Sequence, residues 1–180
     1  MAAAQVEFLK DDGRRYRALL HRPDGVDVAF DGGAYNRVGG PAGEVPHDIA
    51  HLIVEEELGL RSGVWGVLVA GGMFRHATVV AGRRAPHATR RGREVIARAG
   101  DRVMQAEMLT RAVCDISAAD GPLDPAAIRR AVGERWWSDG VTQLTLERAH
   151  TRLRDAAEQW AGLIPGEALT VSWRLPPASW

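Results

Sequence analysis

The stretch QVEFLKDDGRRYRALLHRPDGVDVAFD, Gln5 to Asp31, decides the fold. Its first six residues run into Asp-Asp-Gly, a hairpin turn signal, and then into RRYRALLHR, where polar and apolar residues partly alternate. Pro23-Asp24-Gly25 makes a second turn, and VDVAF alternates strictly as a third strand. Three short strands joined by tight turns begin an antiparallel sheet. Near the other end, PGEALTVSWRL reads as a turn and a closing strand, at residues 167–175, with PPASW as a tail.

Between these lies a segment of different character. Gly32 to Gly43, GGAYNRVGGPAG, is expected to be a loop. Helical signals then run from residue 46 to 163. Pro46 suits a first helical position and Gly59 a stop. Ser62 can cap a second, apolar helix to about Val69, whose Gly63 and Gly66 would admit a close neighbour. The segment RHATVVAGRRAPHATRRGR reads as a basic connector. It leads into one long helix from about Thr89 to Ser117, with Val95, Ala99, Val103, Ala106, Leu109, Val113 and Ile116 at helical spacing. A short helix follows with Ile128 and Val132 inward. The last helix, about Val141 to Leu163, carries Leu146, Ala149, Leu153, Ala156 and Trp160 on one face. This order predicts an α+β fold. A small antiparallel sheet, made of the N-terminal strands plus the C-terminal strand, packs against about five helices in a single domain spanning residues 1–180.

Composition narrows the class. With 46% apolar and 26% charged residues, the chain reads as globular rather than disordered. The apolar run GVWGVLVAGGMF is too short to span a bilayer, and MAAAQVEFLKDD lacks a signal-peptide pattern, so a cytoplasmic location is the default expectation. Cys114 is the only cysteine, which excludes an intrachain disulfide and a cysteine-based zinc motif; its place on an apolar stripe makes it a small core residue. Formal net charge is zero and the pI is near 7.0, which argues against a nucleic-acid partner. The sequence gives no support for a membrane partner, and a homo-oligomer is left open.

The sharpest chemical feature is EVPHDIAHLIVEEELGL, Glu44 to Leu60. At about 100° per residue, Asp48, His51 and Glu55 all fall within about 100° of His47, while Glu56 and Glu57 point elsewhere. Histidines at i and i+4 project from successive turns and can share one ion, and a carboxylate at i+8 can complete three ligands. His47, His51 and Glu55 are therefore the candidate metal ligands, for zinc or, as a two-histidine-one-carboxylate set, iron. Without a metal, Asp48 and Glu55 become the candidate catalytic acids, holding a histidine base in one tautomer. The plain alternative makes Glu55 to Glu57 the solvated end of an ordinary helix.

His47, Asp48 and His51 form H-D-x-x-H, which resembles the metal-binding helix motif of a ubiquinone-biosynthesis protein family. That resemblance implies a metal on the two histidines and a glutamate about a dozen residues further on, where this chain has Gly63. It covers one helix, and that family is largely helical, whereas this chain opens with strands. More broadly, VPHDIAHLIVEEELGL with the following GVWG is similar to small uncharacterised bacterial proteins, a likeness that carries no activity. The H-E-x-x-H metalloprotease helix and the HD-domain phosphohydrolases fit less well. Asp48 is a methylene shorter than the protease glutamate, and His21, offered as the earlier histidine of an HD site, falls in a strand.

Three further features complete the reading. Arg83, Arg84, Arg90 and Arg91 are candidate anion ligands, since guanidinium groups grip phosphate and carboxylate bidentately. The alternative for them is a solvated connector. His76 and His87 lie nearby as candidate third metal ligands. His150, with Glu147 three residues before it, is the candidate distant partner of the His47 site. The leading expectation is a metal-dependent or acid–base enzyme acting on a small molecule; the other is a non-enzymatic binding or interaction module without metal.

Overall fold

The computed structural model describes residues 3–13, 15–34, 45–118 and 122–176, with side chains throughout except at 31–34 and 118. The expected glycine-rich loop beyond Ala34, Glu44 and the tail from 177 lie outside these residues. The first three strands are β1 (Ala4–Lys10), β2 (Arg15–His21) and β3 (Asp27–Ala34). Helices α1 (His47–Glu57) and α2 (Val64–Val69) follow, then strand β4 (Ala77–Ala81). Helices α3 (Ala88–Ala99), α4 (Arg102–Ala118), α5 (Pro125–Val132) and α6 (Gln143–Gly162) precede the closing strand β5 (Ala168–Trp173). This is the α+β arrangement expected, with one sheet and six α-helices among the described residues.

The sheet is antiparallel throughout, in the order β4-β3-β2-β1-β5. The closing strand lands beside the first, Phe8 opposite Leu169 and Ala4 opposite Trp173. Alternation sets one face inward: Val6 pairs with Leu20, Leu20 with Val28, and all three are fully buried. Lys10, the only lysine, reaches past the sheet end and donates to the carbonyls of Trp160 and Leu163 (2.9 and 2.7 Å). A cation there meets the negative end of α6.

Three expectations need correcting. Residues Ala77–Ala81, read as part of a basic connector, form the edge strand β4, with Val79 opposite Val28. The β-branched trio Thr78-Val79-Val80 is too short to announce itself among flanking arginines, and it is pairing with β3 that makes it a strand. Strand β3 also runs to Ala34, into the expected loop, because β2 offers it partners as far as Arg15. Finally, the single long helix is two. Gly100 ends α3 with φ +50° and ψ −130°, a conformation that glycine takes without strain, and α4 restarts at Arg102.

Helix α1 lies at the centre. It contacts α2, α4, α6 and β5, and eight of its eleven residues are buried, including His51, Glu55 and Glu56. It begins one residue after Pro46, which caps it, and Gly59 turns the chain out at φ +69°. Trp65, Trp160, Trp173, Ile128 and Leu146 are among the fully buried side chains. Cys114 is buried too, and burial, helped by Asp115, pushes its thiol up to about 12, which suits an inert core residue. No helix among the described residues is long and apolar enough to cross a membrane.

Candidate functional site

The first turns of α1 carry His47 and His51 toward α4, and Asp48 toward β2. The rings of His47 and His51 meet edge to face, with centroids 4.4 Å apart. The carboxylate that joins them comes from α4. Glu107 Oε2 lies 2.9 Å from His51 Nε2, and Glu107 Oε1 lies 3.6 Å from His47 Nε2. One ligand atom from each of these three residues falls within 4.8 Å of the others, the one such group among the described residues.

Glu55 occupies a different position from the one expected of a ligand. Its Oε1 faces His51 Nδ1 at 3.0 Å. The same carboxylate accepts the backbone N–H of Val64 and of Trp65, both at 2.9 Å, at the entry to α2. It is completely buried, and these three donors satisfy it. Of the roles read for it, ligand or orienting acid, this geometry carries the second. Gly63 makes the arrangement possible, since a Cβ there would sit 2.5 Å from the Glu55 carboxyl carbon and 2.8 Å from Ala106 Cβ.

Asp48 plays a parallel part beside His47. Its Oδ1 lies 4.0 Å from His47 Nδ1, and its Oδ2 accepts the Tyr16 hydroxyl of β2 at 2.7 Å. Its backbone carbonyl accepts the Trp65 indole N–H at 2.9 Å. Both histidines thus have an acid on the Nδ1 side and turn Nε2 toward Glu107. Carboxylates behind imidazoles fix tautomer and ring orientation at metal centres.

Exposure is graded across the cluster. His51 is 2% exposed, His47 30% and Glu107 45%. Burial is the largest influence on His51 and opposes its charge, but hydrogen bonds with Glu107 and Glu55 outweigh it and hold the imidazole up at about 9. The neighbouring imidazoles of His47 and His51 hold Glu107 well below the ordinary carboxylate range, against a smaller effect of burial. At neutral pH His51 therefore donates from both nitrogens, to Glu55 and to Glu107.

The remaining candidates lie apart from this cluster. Glu147 accepts from Gln143 at 2.8 Å rather than bonding His150, whose Nδ1 is buried without a hydrogen-bond partner among the described residues. Neither His150 nor His76 nor His87 belongs to the ligand group. Arg84 and Arg91 line one pocket, whereas Arg83 is exposed outside it and Arg90 pairs with Glu94 on the surface of α3 (3.8 Å). The expectation that Glu55 to Glu57 form a solvated helix end is overturned. Glu56 and Glu57 are mostly buried and both take Arg152 Nη1 of α6, at 2.7 and 2.6 Å, and Glu56 also accepts the Arg174 backbone N–H.

Glu107 is the residue that sequence reading missed. It is the only acid between Asp101 and Asp115, at the border of the apolar stripe of α4. That was the available signal, a weak one, because nothing in the pattern says which helix faces α1. Fold and site together define an α+β protein with a two-histidine, one-glutamate cluster able to hold a metal ion. Compared with known protein families, with curated proteins and with solved structures, the chain matches none of them.

Proposed function

We propose that His47, His51 and Glu107 bind a divalent metal, zinc or iron, and that the protein is a metal-dependent enzyme acting on a small molecule. The observation that carries this reading is the convergence of two Nε2 atoms and one carboxylate, each histidine backed by its own acid. Metal–ligand bonds of about 2.0–2.2 Å place ligand atoms roughly 3.4 Å apart in a tetrahedral site. The separations of Glu107 from His51 and His47, 2.9 and 3.6 Å, bracket that spacing. Half-exposed His47 and Glu107 leave one side open to solvent, as a catalytic rather than a closed structural site requires. An ion held there would act as a Lewis acid toward a small oxygen-bearing ligand. Glu55 keeps the proton on His51 Nδ1, Asp48 steadies His47, and Tyr16 steadies Asp48. The carboxylate expected from the H-D-x-x-H resemblance near Gly63 would be supplied from α4 by Glu107.

A metal-free reading has its own support. A charged His51 between Glu55 and Glu107 is a complete ion cluster that can tie α1 to α4 without any ion, in a binding module. Elemental analysis separates the two. Protein purified without chelators should carry about one equivalent of zinc or iron, lost in His47→Ala/His51→Ala, and Glu55→Gln should weaken binding roughly 10- to 100-fold. Binding should release about one proton at neutral pH, read by calorimetry in buffers of different ionisation enthalpy, because His51 must give up its Nε2 proton. Absence of stoichiometric metal, with no uptake on titration, would sink the metal reading and leave the ion cluster.

A further inference from the structure

The pocket lined by Arg84 and Arg91, of about 160 Å³, lies where the β2–β3 turn, the end of α2 and the start of α3 meet. We propose that it binds a phosphate group, either free phosphate or the end group of a small phosphomonoester. Arg22, Arg84 and Arg91 bring three guanidinium groups to its walls, and Asp24 is the only acid among its lining residues. The charge balance therefore favours an anion.

Arg22 is the least ordinary of the three. Its side chain is 12% exposed, yet its one side-chain partner among the described residues is the half-exposed carboxylate of Asp24, at 2.5 Å. Its Nε is buried and makes no hydrogen bond among the described residues. A guanidinium offers five donors in a planar fork, and a largely buried one served by a single carboxylate keeps capacity for another oxyanion. Arg84 and Arg91 are exposed and form no ion pair among the described residues. They can swing onto a ligand at little cost in lost contacts.

The backbone is shaped for the same purpose. Helix α3 is twelve residues long and has no side-chain cap at its start; Ala85 and Ala88 beside that end lie in the pocket wall, with the Ala88 N–H donated to the Ala85 carbonyl at 3.1 Å. His87 precedes it at φ +61°, a left-handed conformation unfavourable for a residue with a Cβ. Two glycines draw the walls together. A Cβ on Gly92 would lie 2.6 Å from the Gly71 carbonyl oxygen, and a Cβ on Gly71 would lie 3.2 Å from Arg22 Nη2. The pocket has room for a tetrahedral oxyanion with a few waters.

The site is independent of the metal reading, and its test is run on metal-free protein so that phosphate cannot report through a metal. Inorganic phosphate is titrated calorimetrically into the chelator-treated full chain at constant ionic strength, with glycerol phosphate as a parallel arm. Saturable binding is expected, weakened at least about tenfold in Arg84→Gln/Arg91→Gln. It should change less than about twofold in Arg83→Gln/Arg93→Gln, which removes equal charge outside the pocket. Circular dichroism checks that both variants fold, and Arg91→Gln alone replaces the double variant if it does not. Binding of both ligands assigns a phosphomonoester end group, and binding of inorganic phosphate alone assigns the free ion. No saturable binding by the wild-type protein, or equal losses in the two variants, overturns the proposal.

Discussion

Helix α1 carries a charged cluster at each end, and the two are used in opposite ways. At its C-terminal end, Glu56 and Glu57 are tied off by Arg152, and Glu56 also by the Arg174 amide. At its other end, His47 and His51 share Glu107, which is 45% exposed, and the cluster stays open on one side. The first set joins α1 to α6 and to the residue after β5: both carboxylates share Arg152, and the Arg174 guanidinium stands 3.9 Å from Glu56. The second joins α1 to α4 through atoms that can exchange a proton for a metal. What separates the structural ion cluster from the candidate site is thus exposure and the imidazole donor, which can give up a proton where a guanidinium cannot. Glu55 sits between them, buried like the first set but bonded to the second.

The largest expected effect comes from breaking the structural end. Arg152→Met leaves the mostly buried Glu57 without its cation and Glu56 with only the more distant Arg174 guanidinium, and should cost about 3 kcal/mol in denaturant unfolding. Metal affinity should stay within about twofold of wild type. An equal loss of both would mean that the two ends of α1 are one unit.

A change of pH probes the open end. In metal-free protein, His51 is raised from its ordinary value to about 9, so its contribution to stability is complete below about 6.5 and fades as pH rises through 9. Glu107 is lowered, so its contribution is present above its ordinary value and fades as pH falls through the acid range. Unfolding free energy should therefore peak between about pH 5 and 6.5, and drop by roughly 2–3 kcal/mol toward pH 10. His51→Gln should flatten the alkaline limb. An unchanged limb would assign the loss to other groups.

The smallest effect sharpens the role of the residue between the two ends. Gly63→Ala puts a methyl group against the Glu55 carboxyl and Ala106, and should destabilise the fold by roughly 1–2 kcal/mol. Because Glu55 must then shift away from His51, metal affinity should also fall, by about tenfold. Loss of stability with unaltered metal binding would show that Glu55 anchors α2 and does no more.

Much of the fold was legible because its signals are local. Turn residues at Asp12-Gly13 and Asp24-Gly25 set the hairpins, alternation in β1 to β3 set the buried face, and Gly59 ended α1. Strand β4 and the break at Gly100 escaped, since a five-residue edge strand needs its partner and one glycine in a helical pattern is tolerated more often than it breaks. The site was half legible. Helical periodicity alone puts His47, Asp48, His51 and Glu55 on one stripe, because 3.6 residues per turn leave no other choice.

By itself, then, the sequence determined the α+β class, the antiparallel start and the polar stripe of α1, all properties of spacing within a few residues. Only the tertiary structure decided that α1 is surrounded, that Glu55 is spent on His51 and the amides of Val64 and Trp65, and that Glu107 completes the triad. Those outcomes depend on which element packs against which, 56 residues apart in the case of His51 and Glu107. A residue's neighbours along the chain carry no record of that choice, which is made by the burial of whole faces.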